Sequence, residues 1–293
     1  MKAYLFPGQG SQFDGMGEDL FDDFSHYTNI ASEVLGYCIK SLCIEGGEKL
    51  NKTEFTQPAV FVVNALSYMR HIQINGMQAN YFSGHSLGEF NALYAAGAMS
   101  FTEALKIVKR RGELMSEVTQ GAMAAVINLG EQDILSCLFD HGLDSIDIAN
   151  YNSPKQIVIS GLVEQINLAM KPLEKRGAYF VPLKTSGAFH SRFMLNPKEV
   201  FYQYLREFEF SELSVPVISN KEAMPYSVDS LKITLAEQMT SPVKWTQSIE
   251  YMLDRGVNEF LEMGCREILS KFVNDIRGDH LKLHPIGEEK VLL

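Results

Sequence analysis

No pair of cysteines in this chain has the spacing of a metal or redox motif. The four, Cys38, Cys43, Cys137 and Cys265, form no Cys-x-x-Cys and belong to no His/Cys cluster with zinc spacing. They read as free buried thiols of a reducing cytoplasm. Positive charge is also scarce: 26 Lys and Arg stand against 36 Asp and Glu, for a net charge of −10. With no basic excess to neutralise phosphate, nucleic acid and anionic membrane surfaces are excluded as general partners. No uninterrupted apolar run is long enough to span a bilayer. The start of the chain has one charge and a very short apolar stretch, so it reads as a first strand and not as a signal peptide. Internal repeats and low-complexity segments are missing too. What is present, 46% hydrophobic and 21% charged residues over 293, is the composition of a globular enzyme with one large domain or two unequal ones.

The most informative stretch is Gly84-His85-Ser86-Leu87-Gly88. A short apolar run over 80–83 precedes it and reads as a buried strand. The following residues read as a helix that ends at Gly97. Strand, Gly-x-Ser-x-Gly and helix together describe a nucleophile elbow. Glycines fit where the turn is too tight for side chains. The serine is pushed out at the top of the sheet, and the helix N-terminus lies beside any anion that forms there.

Around the elbow, the pattern is α/β. A strand over 2–6 runs into the loop Pro7-Gly8-Gln9-Gly10-Ser11-Gln12, whose glycines permit close approach of backbone N–H groups to a ligand. It lacks the Lys-Ser/Thr of a P-loop and the third glycine of a dinucleotide fingerprint. Thr56 reads as the N-cap of an apolar helix over 59–75, with Pro58 in its first turn. Ser100 and Glu103 form a capping-box pattern that opens a helix over 101–118. From Gly121 the order becomes strand 123–129, helix 131–141, strand 145–150, strand 156–160, helix 163–176 and strand 179–183. This is the β-α-β-β-α-β signature of a ferredoxin-like unit. It predicts a small domain over 121–184 inserted into a larger one formed by 1–120 and 185–293. The larger domain continues with a helix over 191–208, a strand over 215–219, helices within 230–239 and 242–253, a strand over 257–262 and a helix to 277. From Gly278 the pattern fades, and the stretch reads as a linker.

A serine nucleophile needs a base. Of seven histidines, His85 adjoins Ser86 and points elsewhere. His26, His71 and His141 have helical, polar surroundings, and His280 and His284 fall in the weakly patterned end. His190 sits in Ser186-Gly187-Ala188-Phe189-His190-Ser191, a small-residue loop between a strand and a helix, where catalytic groups are placed. It is either the base or a satisfied loop histidine. No acid stands out as a third member, which favours a dyad with a backbone carbonyl orienting the imidazole. Arg111 falls near the apolar stripe of Ile107, Val108, Leu114 and Met115, apart from the solvated Lys109 and Arg110. An arginine there wants a carboxylate, either an internal one or a substrate anion.

These residues, with Thr56-Gln57-Pro58-Ala59, Arg111-Gly112-Glu113-Leu114-Met115, Gly121-Ala122-Met123-Ala124-Ala125, Asn152-Ser153-Pro154, Ala188-Phe189-His190-Ser191 and Ser241-Pro242-Val243-Lys244-Trp245, carry a resemblance over nearly all of 1–277. The chain resembles the malonyl-CoA:acyl carrier protein transacylases, and in detail the free-standing acyltransferases that serve modular polyketide synthases in trans. The resemblance implies an α/β-hydrolase-like core with a ferredoxin-like insert. It implies that malonyl-CoA acylates Ser86, that His190 is base and then acid, and that Arg111 binds the free carboxylate of malonate. Backbone N–H groups of Leu87 and Gln9 would form the oxyanion hole. The Gln238 carbonyl would orient the histidine, Asn152 would face the cleft, and Phe189 would exclude an α-methyl group. The partners implied are malonyl-CoA and acyl carrier proteins, with no resident cofactor and no metal. A basic patch of Lys155, Lys184 or Arg192 is expected beside the cleft to offset repulsion between two acidic proteins. An acyl-carrier-protein thioesterase using the same Ser/His pair is the alternative, and Arg111 weighs against it. Gly264-Cys265-Arg266 departs from the usual Gly-Pro-Gly, away from the matched catalytic positions.

Overall fold

The computed structural model describes residues 1–283, and side chains through residue 281. The first part of the chain forms β1 (Lys2–Phe6), four helices α1 (Glu18–Phe21), α2 (Ser25–Leu35), α3 (Ile39–Glu45) and α4 (Gly47–Leu50), and the long α5 (Thr53–Asn75). Next come β2 (Tyr81–Gly84), α6 (Gly88–Ala95) and α7 (Phe101–Ser116). A second group follows: β3 (Gly121–Ile127), α8 (Glu131–Asp140), β4 (Asp147–Ser153), β5 (Gln156–Leu162), α9 (Val163–Lys175) and β6 (Tyr179–Pro182). The chain then makes α10 (Leu195–Leu205), β7 (Val217–Ile218), α11 (Leu231–Glu237), α12 (Trp245–Leu253), β8 (Glu259–Glu262) and α13 (Leu269–Leu283).

Two sheets result. The first is parallel, in the order β7-β2-β1-β8. Its central strand is buried on both faces, as a parallel strand under helices must be. Period-2 alternation sends Tyr4 and Phe6 into the large core with Phe61, Phe82 and Phe90, and Ala3 and Leu5 into a second core with Trp245, Ile249 and Ile276. The second sheet is antiparallel, in the order β4-β5-β3-β6. One face packs Ala124, Val126 and Ile159 against Ile134, Leu138, Ile166 and Leu173 of α8 and α9. The other turns Met123 and Val158 toward the first sheet's core. An isolated parallel bridge between Asn150 and Val243 ties β4 to the segment that leads into α12.

Several boundaries differ from the sequence reading. α5 begins at Thr53, not near residue 59, and Thr56 is inside it. The Thr56 hydroxyl donates back to the carbonyls of Leu50 (2.6 Å) and Lys52 (3.0 Å) instead of capping from outside. Pro58 is tolerated there because its fixed φ suits a helix and only one carbonyl loses its donor. β7 shrinks to two residues, because Pro216 before it has no N–H to extend the ladder and Ser219 after it turns to meet Met224. The segment from Ser191 opens as a short 3₁₀ turn, Arg192–Met194, before α10, with Pro197 in its first helical turn. The fading pattern at Gly278 does not end the last helix. α13 runs on to Leu283, packed against α12, and His280 bonds Asp254 at 2.9 Å. Tertiary packing outweighs propensity here; His284 lies outside the described residues. Of the four thiols, Cys43 and Cys137 are buried as expected, whereas Cys38 and Cys265 are exposed.

Candidate active site

The elbow is built by backbone crowding. A Cβ on Gly84 would overlap the backbone of Gly88 and Glu89, and one on Gly88 would overlap the Phe6 carbonyl. The His85 N–H donates to that same carbonyl at 2.9 Å, so β1 holds the turn. Ser86 sits at φ 51° and His190 at φ 56°. Both are left-handed conformations that cost a side-chain-bearing residue free energy and persist only where the surroundings fix them. For His190 the surroundings are the Ser191 hydroxyl, which donates to Ala188 O (2.6 Å) and accepts from Phe193 N (3.3 Å).

Ser86 and His190 meet with Oγ 2.7 Å from Nε2. His190 Nδ1 lies 2.8 Å from the backbone carbonyl of Gln238. A carbonyl only accepts, so Nδ1 carries the proton and Nε2 is left to accept from the serine. Burial, followed by the nearby Arg111 charge, pushes the His190 pKa down to about 3, which keeps the imidazole neutral and able to take the serine proton. Gln238 is delivered by a 3₁₀ turn, Gln238–Thr240, that interrupts the chain between α11 and α12. Among the described residues no carboxylate completes a triad: the orienting acceptor is this carbonyl.

Arg111 is fully buried on the inner face of α7. Its Nη1 donates to Gln57 Oε1 (2.8 Å), and its Nη2 donates to Gln238 Oε1 (2.8 Å) and Ser86 Oγ (3.1 Å). Its Nε finds no acceptor among the described residues. The guanidinium also lies 5.4 Å from the centre of the Phe90 ring. No internal carboxylate among the described residues contacts it directly; two glutamine side chains and the nucleophile hold it. Burial lowers its pKa to about 10, with Glu89 acting in the opposite sense, so it stays cationic at neutral pH.

The backbone N–H of Ser86 is occupied by Asn220 Oδ1 at 2.7 Å. The amides of Leu87 and Gln9, by contrast, donate to nothing among the described residues. Gln9 is fixed by its side chain, which donates to Thr53 Oγ1 at 3.2 Å. Asn152 is nearly buried, with Oδ1 2.8 Å from His85 Nε2 and Nδ2 2.8 Å from Gln156 Oε1. His85 thus has the structural place expected, against Asn152 and tilted on Trp245.

These groups open on a cleft of about 200 Å³ between the two sheets. Gln9, Ser86, Asn152, Phe189 and His190 all line it, together with the apolar Met115, Met123, Val158 and Leu183. Ile268, Leu269 and Phe272 from the start of α13 close one side. Arg111 lies behind Gln57 and Ser86. The proposed basic patch is mostly neutralised: Arg192 is paired with Asp147, and Lys155 with Asp275 at 3.5 Å. Lys184 is exposed beside the lining residues Leu183 and Thr185 and has no ion pair among the described residues.

Sequence reasoning missed three buried polar residues. Gln57 orients Arg111. Asn220 holds the Ser86 N–H and also donates to Gly84 O at 2.7 Å. Glu89 accepts from Asn220 N (2.9 Å), Tyr226 Oη (2.6 Å) and Gln238 Nε2. The available signal was polar residues, such as Gln57 and Asn64, inside apolar helical runs, because a buried polar side chain needs a partner. No group of three or more His, Cys, Asp or Glu that could hold a metal occurs among the described residues, and none of their helices is long and apolar enough to cross a membrane.

Comparison with known proteins shows the family. The acyl transferase domain family matches residues 3–276. A polyketide biosynthesis malonyl CoA-acyl carrier protein transacylase of Bacillus velezensis is 50% identical, over 95% of this chain and 98% of its own. The crystal structure of a malonyl CoA-acyl carrier protein transacylase from Burkholderia pseudomallei superposes with a TM-score of 0.93 at 44% identity, covering 95% of this chain and 98% of that one. A malonyl-transacylase in complex with a type II polyketide synthase acyl-carrier protein gives a TM-score of 0.90 at 32% identity, over 94% and 93% of the two chains. With Ser86 and His190 at one cleft, Arg111 bonded to Ser86 from behind, and a match that runs almost end to end, the chain belongs to the acyl transferase domain family.

Proposed function

We propose that this protein moves a malonyl group from malonyl-CoA to the phosphopantetheine thiol of an acyl carrier protein, in trans for a polyketide synthase. The observation that carries the reading is the buried Arg111, with Nη2 3.1 Å from Ser86 Oγ and Nε unpartnered. A fixed positive charge at the nucleophile selects an acyl group that itself bears a carboxylate. In the first half-reaction Ser86 Oγ attacks the thioester carbonyl and its proton passes to His190 Nε2. The oxyanion is received by the free N–H groups of Leu87 and Gln9. Collapse expels the CoA thiolate, which takes the proton from His190. Acylation converts Oγ to an ester oxygen, a poor acceptor, and so releases an Arg111 N–H for the malonyl carboxylate. In the second half-reaction the carrier thiol gives its proton to His190 and attacks the ester; as the intermediate collapses, Ser86 Oγ leaves and takes that proton from His190 Nε2. The balance closes with no resident cofactor and no metal.

Phe189, 4% exposed at the cleft wall, takes the space an α-methyl would need. Asn152 faces the cleft beside His85. The strand order β4-β5-β3-β6, with α8 and α9 on one face, supports a ferredoxin-like unit over 121–184. The parallel sheet with its elbow supports an α/β-hydrolase-like core from 1–120 and 185–293. Four unpaired thiols suit a cytoplasmic protein. The thioesterase alternative finds no support: the relatives reported above are named as transacylases.

The test is intact-mass analysis after mixing with malonyl-CoA alone and then with a carrier protein. A malonyl adduct that is absent in Ser86→Ala and discharges onto the carrier is expected. Accumulation of free malonate and CoA without an adduct would overturn the reading.

A further inference from the structure

Among the described residues, one carboxylate and one guanidinium are fully buried, those of Glu89 and Arg111. No hydrogen bond joins them. The Gln238 side-chain amide stands between: Nε2 donates to Glu89 Oε2, and Oε1 accepts from Arg111 Nη2 at 2.8 Å. The second proton on Nε2 goes to the Ser86 backbone carbonyl at 2.9 Å. An amide can turn over and exchange its oxygen and nitrogen; the anion on one side and the cation on the other allow only one of the two orientations.

We propose that Glu89 is a positioning residue: its carboxylate sets the polarity of the Gln238 amide, and through that amide holds the Arg111 guanidinium against Ser86 Oγ. Removing the charge while keeping the shape shows why. In Glu89→Gln, the atom at the Oε1 place faces the fixed N–H of Asn220 and must remain an oxygen. The new NH₂ then occupies the Oε2 place and meets Gln238 Nε2, donor against donor. Gln238 turns over to accept from it. Its NH₂ now faces Arg111 Nη2, again donor against donor, and its oxygen faces the Ser86 carbonyl. The guanidinium is driven off its site, while the Gln238 backbone carbonyl that orients His190 is untouched.

The kinetic arm of the test rests on the malonyl-transfer reading; the crystallographic arm does not. In a crystal structure of Glu89→Gln, Arg111 Nη2 is expected beyond hydrogen-bond reach of Ser86 Oγ; a guanidinium that has not moved overturns the proposal. In stopped acylation assays read by intact mass, the rate of malonyl loading should fall at least tenfold relative to wild type. Acetyl loading and labelling of Ser86 by diisopropyl fluorophosphate should stay within threefold. If Glu89→Gln does not fold, Gln238→Met, which deletes the amide and keeps the backbone carbonyl, takes its place in the crystallographic arm, with Arg111 Nη2 again expected away from Ser86 Oγ and an unmoved guanidinium overturning the proposal. Equal losses for malonyl, acetyl and the fluorophosphate in Glu89→Gln would make the network merely structural and overturn the assignment.

Discussion

Asn220 closes off the Ser86 N–H: its side-chain oxygen accepts that bond at 2.7 Å while its amide donates to Gly84 O at 2.7 Å. The nucleophile is therefore fastened on both sides of a left-handed residue, and its own N–H is withdrawn from the reaction. Asn220→Ala leaves a part-buried amide and a buried carbonyl without these partners. A loss of about 1–3 kcal/mol in stability is expected from each orphaned group, with a fall of roughly 10–100-fold in Ser86 acylation as the elbow relaxes. Urea unfolding and acyl loading of the same preparation check both. Full activity with normal stability would mean that the elbow holds itself.

His190 predicts an unusual acid limb. Its pKa is pushed down to about 3 by burial and then by Arg111, so the base stays neutral well below the ordinary histidine range. Acetyl loading, which does not use the guanidinium as a carboxylate clamp, should hold its rate from pH 8 to about pH 5. A decline centred near 6.5, the ordinary histidine value, would show that solvent reaches the imidazole.

Arg111→Ala should separate two substrates. Malonyl loading loses its carboxylate partner and should drop by roughly 100-fold or more. Acetyl loading should be kept or improved, because Arg111 is one of the causes that depress His190 basicity. Rates measured with both thioesters decide it; parallel losses would make Arg111 a packing residue.

Glu89 makes a prediction about stability against pH. Burial pushes its pKa up to about 7, against the pull of its hydrogen bonds and of Arg111. A carboxyl whose pKa is raised on folding binds more protons folded than unfolded between about 4.5 and 7. The stability it contributes is complete below that window and is lost as pH rises through it. Glu89→Gln has no such loss, so its stability relative to wild type should improve from pH 5 to pH 8, by up to about 3 kcal/mol at 1.4 kcal/mol per pKa unit. Urea midpoints at the two pH values measure this, and a pH-independent difference would mean that Glu89 titrates normally.

Lys184 is what remains of the expected basic patch, since Arg192 and Lys155 face Asp147 and Asp275. Lys184→Glu should raise the KM for an acidic carrier several-fold, and more so at low salt, while leaving loading from malonyl-CoA alone unchanged. An unchanged carrier KM would place the docking surface elsewhere.

The parts of this molecule legible in the sequence are those with a local cause. The Ser100–Glu103 capping box, the elbow glycines and the first strand over 2–6 each act within a few residues, and each is found in place. The β-α-β-β-α-β order was legible because its elements alternate clear periods. Glu89, Asn220, Gln238 and Gln57 were harder, because their partners are far apart in the chain: Asn220 and Ser86 are separated by 134 positions. Gln238 could be placed only by resemblance, and only for its carbonyl; its side chain carries as much of the site. The start of α5 was misjudged because Thr56 looks like a cap from its neighbours alone, whereas its hydroxyl is taken by carbonyls of the preceding turn.

The alternation along β3 and β5 has a consequence for how this enzyme could change its diet. Met123 and Val158 look into the cleft, while Ala124 and Ile159 look into the packing under α8 and α9. Side chains on the two surfaces answer to different neighbours. Trimming Met123 or Val158 would enlarge the acyl chamber without disturbing what holds α8 and α9 to the sheet. A lineage can therefore explore bulkier acyl groups by single substitutions on one side of a wall whose other side stays fixed.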